Sequence, residues 1–424
     1  MNENTSSPLS EPKRILILGG GFGGVRAALD LAKQNLKDVR ITLISDKHHF
    51  GYTPALYKQA TGRSPMETCI PLGEIFHKNI NVEYVIDKVS GGSLSEKVIT
   101  GESGSRYKYD FLVLALGSET SYFNIPGIEE NSFPLKSVYT ALRLKNHIHM
   151  LFKTCKGLSK GDLISQFQFV IVGGGPAGVE LAGEIRHYCR ELATAHRIPQ
   201  EYVTVDIIQA ANRLLPTMPE STSDSATRRL NTLGINVILG RAVTSEDKEG
   251  VYLKDIKFNS KTIIWTAGVK PSHVYAKISG LTFDKGGRIL VDEHMRVAGA
   301  TDVFAVGDSA STSFAGTAQT ANYDGRYVAH VIGHEIHGQG MPSHKPRKTP
   351  YVVPIGEYWA VFTYKNITLS GWIFWWLRQF IDFKFFLSIL PASKAFTVWR
   401  EGGILCESCP TCLEAEAENS EYTK

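Results

Sequence analysis

Two glycine-rich turns constrain this chain more than any other feature. Gly19-Gly20-Gly21-Phe22-Gly23-Gly24 follows the apolar run Ile15-Leu16-Ile17-Leu18, and Gly173-Gly174-Gly175-Pro176-Ala177-Gly178 follows Phe169-Val170-Ile171-Val172. Each turn opens an Ala-rich stretch with helical patterning. Strand, G-x-G-x-x-G and helix together make a dinucleotide fingerprint. The glycines permit a tight turn and a close approach to a pyrophosphate, and the helix N-terminus offers free N–H groups and partial positive charge. One such motif is weak evidence. Two in strand–turn–helix context predict an α/β protein with two Rossmann-like domains, two bound dinucleotides and electron transfer between them.

The pattern between the motifs sets the organisation. Strands are expected at 14–18, 39–44, 82–87 and 111–115 in the first unit, and at 167–172, 203–208, 235–239 and 262–265 in the second. Val303-Phe304-Ala305-Val306 then reads as a return to the first unit, with a helix at 317–334. The expected division is a tail at 1–12, a first domain of 13–120 plus 290–345, an inserted second domain at 121–289, a C-terminal region at 346–405 and a Cys-containing acidic tail at 406–424. A length of 424 residues accommodates this, and a net charge of +4 gives no reason to expect nucleic acid. The polar N-terminus lacks the apolar stretch of a signal peptide.

The first loop is expected to hold FAD. A flavin's ribityl hydroxyls favour a carboxylate acceptor, and Gly307-Asp308 supplies one at the carboxyl end of an apolar strand, where ligands bind in parallel sheets. The turn at Ala115–Gly117 ends another such strand. The competing reading of Asp308 is a helix cap. Gly19, Gly21, Phe22, Gly23 and Gly24 form the first cofactor loop, and Gly173, Gly175, Pro176 and Gly178 the second.

Further segments carry a narrower resemblance: His49, Tyr52-Thr53-Pro54-Ala55-Leu56-Tyr57, Ala60-Thr61-Gly62, Gly178-Val179-Glu180-Leu181-Ala182-Gly183-Glu184, Trp265-Thr266-Ala267-Gly268-Val269 and Ala318-Gln319-Thr320-Ala321. Over roughly residues 13–400 the chain resembles the type II, non-proton-pumping NADH:quinone oxidoreductases of the two-dinucleotide-binding flavoprotein superfamily. The resemblance implies hydride transfer from NADH to FAD and two electrons onward to a membrane quinone. It implies cofactor contacts at Thr53, Pro54, Ala267, Gly268, Ala318 and Gln319, and catalytic roles for Glu180, Gln319 and Tyr323. It also implies a peripheral membrane protein on the cytoplasmic, or equivalent reducing, face. A soluble NAD(P)H:acceptor reductase and an NAD(P)H-sensing, apoptosis-inducing-factor-like flavoprotein are the alternatives.

Three positions depart from pattern. The acid that ends the second Rossmann strand is replaced by Ser45, with Asp46 following, in the first unit, and by Gln209 in the second. Gln209 does not repel a 2′-phosphate, so the donor is expected to be NADH with selectivity relaxed toward NADPH. The family's Ala-Gln-x-Ala-x-Gln reads Ala318-Gln319-Thr320-Ala321-Asn322-Tyr323; Tyr323 still donates a hydrogen bond. Two readings of Glu180 stand: it orients the nicotinamide or relays a proton, or it only complements the helix dipole. Gln319 likewise has a bland reading as a buried polar group bonded to backbone.

Cysteines act by exclusion. Disulfide reductases and sulfide:quinone oxidoreductases of the superfamily need cysteines against the flavin, yet the first domain has only Cys69, and none lies between Cys189 and Cys406. Cys406, Cys409 and Cys412 are one ligand short of a closed zinc site, so no metal is expected. The remaining signal lies near the C-terminus. Residues 341–400 hold 15 of the chain's 43 aromatic residues, with eight Lys/Arg against two acids. Within 371–390, Trp372, Trp376, Phe380, Phe383, Leu387 and Leu390 recur at helical spacing, Arg378 and Asp382 occupy another face, and Pro391 ends the segment. This suits a helix lying on a lipid bilayer surface, with a core or homodimer helix as the alternative.

Overall fold

The computed structural model describes residues 11–79, 81–340, 344–345 and 349–405; residues 1–10 of the expected tail at 1–12, and the whole expected tail at 406–424 with Cys406, Cys409 and Cys412, lie outside them. The chain divides into two compact units, residues 1–50, 71–119 and 270–347, and residues 51–70, 120–269 and 348–424.

In the first unit a five-stranded parallel sheet runs in the order Val303–Ala305, Phe111–Leu114, Lys13–Leu18, Val39–Ser45, Val82–Ile86. Its central strands are apolar on both faces, as a parallel sheet covered on both sides requires. The helix Phe22–Ala32 leaves the first glycine turn and is buried from Gly23 to Ala32. It crosses the helix Ala318–Ile336 at close range, because Gly325 lies directly against the Gly23 carbonyl. A smaller four-stranded sheet (Ile278–Ser279, Val89–Ser93, Val98–Gly101, Arg106–Lys108) completes this unit.

The second unit repeats the plan. Its parallel sheet runs Phe133–Pro134, Thr262–Trp265, Gln168–Val172, Thr204–Gln209, Asn236–Leu239. The outer strand comes first in the chain here, whereas its counterpart in the first unit comes last. The long helix Pro176–His196 begins with Pro at its first position, where a missing N–H costs nothing, and ends at Arg197 in the left-handed region (φ 59°). An antiparallel meander (Val243–Asp247, Gly250–Leu253, Lys257–Asn259) and a C-terminal antiparallel sheet (Tyr351–Pro354, Ala360–Tyr364, Ile367–Gly371) belong to the same unit.

The boundaries differ from those expected at three places. The chain returns to the first unit at Lys270 rather than 290, because Tyr275 donates or accepts at Leu116 and Ser309 there. Residues 51–70 belong to the second unit: Gln59 donates to the Val138 carbonyl, and Gly62 packs under the Tyr188 ring. Residues 348–405 also join the second unit, where Gly183 lies against the Gly356 backbone.

The C-terminal helix spans Trp372–Ile389, and Ala392–Glu401 follows it after Pro391. Its polarity is inverted. Arg378, Asp382, Phe386 and Ile389 are buried, while Trp372, Ile373, Trp376, Phe380 and Leu387 are exposed, Trp372 at 63% and Phe380 at 61%. Of the six apolar residues expected on one stripe, Leu390 is buried instead and Phe383 packs on Trp399 at 5.4 Å. Among the described residues no helix is long and apolar enough to cross a membrane.

Candidate dinucleotide sites

The two glycine turns have the same local construction. Gly19 and Gly173 adopt φ of +113° and +118°, a region other residues rarely enter, and each lies against backbone at the end of a neighbouring strand, Ala115 and Ala267 respectively. The third fingerprint glycines, Gly24 and Gly178, pack on the carbonyls of Gly19 and Gly173. Gly21 and Gly175 differ from these: a methyl group on either would meet nothing within 4 Å. Each caps its helix with extended backbone and no side-chain hydrogen bond. Both turns therefore present helix N–H groups beside an open approach, which fits a pyrophosphate.

Around the first turn, Asp308 lies in the short turn Gly307–Ser309 and accepts from the Ser118 hydroxyl at 2.5 Å. It does not cap the next helix, since the Thr317 side chain accepts from the Thr320 N–H at 3.1 Å and does so. Asp308 is thus not the cap of that helix. Three residues that sequence reading missed hold the surroundings. Tyr275 accepts from Leu116 N–H at 2.7 Å and pairs with the Ser309 hydroxyl at 2.6 Å, Ser309 accepts from Gly117 N–H at 3.1 Å, and buried Asp324 accepts from Gly307 N–H at 3.1 Å. No local pattern marks them, because each acts across 17 to 192 residues of chain. Gly117 has φ +68° and open space in front of it. Phe22 packs edge-on against Phe50 at 4.9 Å. Ser45 is buried and donates to the Lys47 carbonyl, while Asp46 is exposed beside it. Ala318 and Gln319 open the helix Ala318–Ile336. Gln319 is exposed rather than buried against backbone, and Tyr323 is half-buried one turn on.

Around the second turn, Thr266 donates to the carbonyls of Val172 and Gly173, both at 3.0 Å, and pins the loop to the neighbouring strand. Ala267 is exposed at that strand's end and Gly268 lies under the Phe123 ring. Gln209 turns inward, its Oε1 accepting from Gly174 N–H at 2.9 Å. Arg213 is spent on the carbonyls of Met218 and Pro216 and on Ser223.

Glu180 stands in the first turns of the second helix, 8% exposed. Its Oε1 accepts from Arg378 Nη1 at 3.1 Å, across 198 residues of sequence. Arg378 also donates to Asp382 through Nε at 3.0 and 3.2 Å, to the Val352 carbonyl at 3.1 Å and to the Pro54 carbonyl at 2.8 Å. Tyr52 donates to Asp382 at 2.6 Å, and Lys58 pairs with Glu67 at 3.1 Å and Asp382 at 3.8 Å. So the Tyr52–Tyr57 segment bears on Glu180 through this ion network; Thr53 itself is exposed and Pro54 contributes its carbonyl. Burial pushes the Glu180 carboxyl up to about 7, with Arg378 opposing. A carboxyl raised in this way is chemically suited to exchange a proton near neutral pH.

The described cysteines, Cys69, Cys155 and Cys189, are free, and burial pushes the Cys69 and Cys189 thiols up. No group of three or more His, Cys, Asp or Glu among the described residues is placed to hold a metal.

Comparison with known proteins agrees with this geometry. Residues 13–325 match the model of the pyridine nucleotide-disulphide oxidoreductase family. A type II NADH:quinone oxidoreductase of Mycobacterium tuberculosis is 32% identical over 399 residues, covering 88% of this chain and 86% of that protein. One from Staphylococcus haemolyticus is 26% identical, covering 91% of this chain and 98% of that protein. In fold, the chain is similar to the structure of NDH2 from Plasmodium falciparum in complex with NADH, with a TM-score of 0.83 at 21% identity over 94% of this chain and 98% of that one. The sulfide:quinone oxidoreductase of Aquifex aeolicus shares the fold at a TM-score of 0.74 and 20% identity, over 96% of this chain and 95% of that one. With its paired glycine turns and the match over most of its length, the chain belongs to the pyridine nucleotide-disulphide oxidoreductases and, within them, to the type II NADH:quinone oxidoreductase family.

Proposed function

We propose that the chain oxidises NADH, with tolerance of NADPH, and reduces a membrane quinone, holding FAD at the first glycine turn and the nicotinamide dinucleotide at the second. The net reaction takes NADH, one proton and quinone to NAD+ and hydroquinone. The observation that carries this reading is the pair of turns with one backbone form and different neighbours: Asp308 stands uncommitted to any helix cap near the first, and Glu180 is held in a buried ion network beside the second.

The residues present fit a flavin. Gly19, Gly21, Phe22, Gly23 and Gly24 would receive its pyrophosphate and Asp308 its ribityl hydroxyls, with Ala115, Gly117 and Gly307 leaving room for close approach. Flavin, when bound, supplies two-electron carriage between hydride donor and acceptor. Gly173, Gly175, Pro176 and Gly178 would receive the nicotinamide dinucleotide's pyrophosphate, with Ala267 and Gly268 at the adjoining strand end. Glu180 holds and releases the one proton the net reaction requires. Gln319 and Tyr323 offer hydrogen bonds to a quinone carbonyl.

The exposed face of the C-terminal helix supports attachment to a lipid surface. Trp372, Trp376 and Phe380 point outward with Lys384 exposed on the same helix and Lys394 on the next. Removing apolar area from water yields ~25 cal/mol per Å2, and a basic side chain near an anionic surface adds about 1 kcal/mol. A peripheral position on the reducing side fits the supply of NADH and the free state of Cys69, Cys155 and Cys189 among the described residues.

Steady-state rates of the purified yellow protein with NADH and with NADPH, against a short-chain quinone, test the reaction. Turnover with quinone is expected; a flavin that NADH bleaches but quinone does not reoxidise removes the quinone assignment. For attachment, Trp376→Ser with Phe380→Ser alters only exposed positions. It is expected to shift the protein from sedimenting liposomes to the supernatant while soluble-quinone turnover persists. Undiminished sedimentation would remove the helix from the lipid contact.

A further inference from the structure

The buried ion network within the second unit is costly to keep. Its members include Arg378 at 7% exposure, Asp382 at 0%, Glu67 at 2% and Glu180 at 8%. Replacing such ions by packed apolar residues is often neutral or stabilising, so stability alone does not explain an inward-facing Arg–Asp pair on an otherwise aromatic helix. The charges do not balance: Arg378 and Lys58 face Glu67, Asp382 and Glu180. Asp382 is satisfied by Arg378 Nε and Tyr52, and Glu67 by Lys58 at 3.1 Å on both oxygens. Glu180 has the single guanidinium contact at Oε1. Of the three carboxyls it is therefore the one left to take up the balancing proton.

We propose that Arg378 is a positioning residue for the reaction: from the inward face of the C-terminal helix it fixes the Glu180 carboxyl beside the nucleotide turn and, in opposition to Asp382, sets how readily that carboxyl binds and releases its proton. This rests on the reading that Glu180 handles the proton of the net reaction. The geometry is restrictive. Arg378 is held by Pro54 and Val352 carbonyls as well as by Asp382, so its guanidinium plane has one orientation and its Nη1 meets Glu180 without freedom to swing. The charged or titratable groups facing Glu180 are Arg378 and Asp382 from the C-terminal helix, and Tyr57 and Lys58 from the short helix Leu56–Ala60. Tyr52 and Glu67 join through Asp382 and Lys58, and Glu184 stands one turn further along its own helix. The environment of the Glu180 carboxyl agrees: burial raises its proton affinity, Arg378 lowers it and Asp382 raises it.

Two substitutions with opposite expected signs test this on the full-length holoprotein. The readout is the infrared band of a protonated carboxyl, assigned to Glu180 by its loss in Glu180→Gln, followed as a function of pH alongside kcat with a soluble quinone. Arg378→Gln removes the cation and is expected to move the midpoint of that band, and the matching limb of kcat, upward by at least about one pH unit, a tenfold change in proton binding. Asp382→Asn keeps acceptors for Tyr52 and Arg378 but removes the opposing charge, and is expected to move both downward. Arg378→Lys is expected to lie between the parent and Arg378→Gln. If Arg378→Gln does not fold, the downward shift in Asp382→Asn carries the test. Midpoints within experimental error of the parent in the folded variants, or shifts of the same sign in Arg378→Gln and Asp382→Asn, would overturn the proposal. Loss of the kcat limb in Glu180→Gln with no response to either substitution would leave Glu180 its proton role and remove Arg378 from it. A limb that survives Glu180→Gln would instead remove the underlying reading.

Discussion

The two glycine turns share one construction and differ in company. Each has a first glycine at φ near the same positive value, a third glycine against the first one's carbonyl and a second glycine facing open space. Around the first, an acid from a distant strand end, Asp308, stands beside Ser118 in a half-exposed position. Around the second, an acid of the helix itself, Glu180, is buried against Arg378. A fingerprint therefore specifies backbone and a phosphate-sized approach, while the side chains that most distinguish the two turns, Asp308 at the first and Arg378 on Glu180 at the second, are delivered from far along the chain.

The sharpest way to break the comparison is to exchange the roles assigned to the two acids. Glu180→Gln is expected to lower kcat with soluble quinone by about 100-fold, the low end of general acid–base contributions, with flavin content unchanged. Stopped-flow and an absorbance spectrum of the same preparation check it, and loss of flavin instead would assign Glu180 to the wrong dinucleotide. Asp308→Ala is expected to do the reverse, weakening flavin retention by roughly 10–100-fold, as for loss of a hydrogen bond to a charged group, while the apoprotein still binds NADH. Flavin content after gel filtration decides that case.

A smaller effect is expected at Gln209. Its side chain accepts from Gly174 N–H, and a carboxylate there keeps that bond. Gln209→Glu should therefore preserve the loop yet raise the ratio of kcat/KM for NADH over NADPH by about tenfold, ~1.4 kcal/mol. An unchanged ratio would mean that the side chain stays turned toward the loop when the dinucleotide binds.

Much of this architecture was legible because it is local. Alternation of apolar runs with glycine turns located both parallel sheets, and Gly307-Asp308 was readable as a strand end with an acid. What escaped notice depends on partners remote in sequence. The two-residue strand Phe133–Pro134 has too little length to show a period, and the helix Val138–Lys153 starts at a Ser137–Thr140 capping box where no glycine or proline announced it. Periodicity separated Arg378 and Asp382 from the aromatic stripe of the C-terminal helix. It did not reveal that the charged face is the buried one, because that depends on Glu180 and on Tyr52 and Pro54 arriving from two other segments. Tyr275 and Ser309 were silent for the same reason.

Gly21 and Gly175 allow the central claim, that the first turn holds flavin and the second the nicotinamide dinucleotide, to be tested most directly. Both have φ values open to any residue, −91° and −75°, and both face open space, so valine at either position disturbs the phosphate approach and little else. The decisive measurement is an anaerobic NADH titration of Gly175→Val, followed at the flavin absorbance, with Gly21→Val as its counterpart. Gly175→Val is expected to purify with a full complement of flavin that NADH leaves oxidised and dithionite reduces, and Gly21→Val to purify colourless. A Gly175→Val protein that loses its flavin, or whose flavin NADH reduces as in the parent, would contradict the assignment.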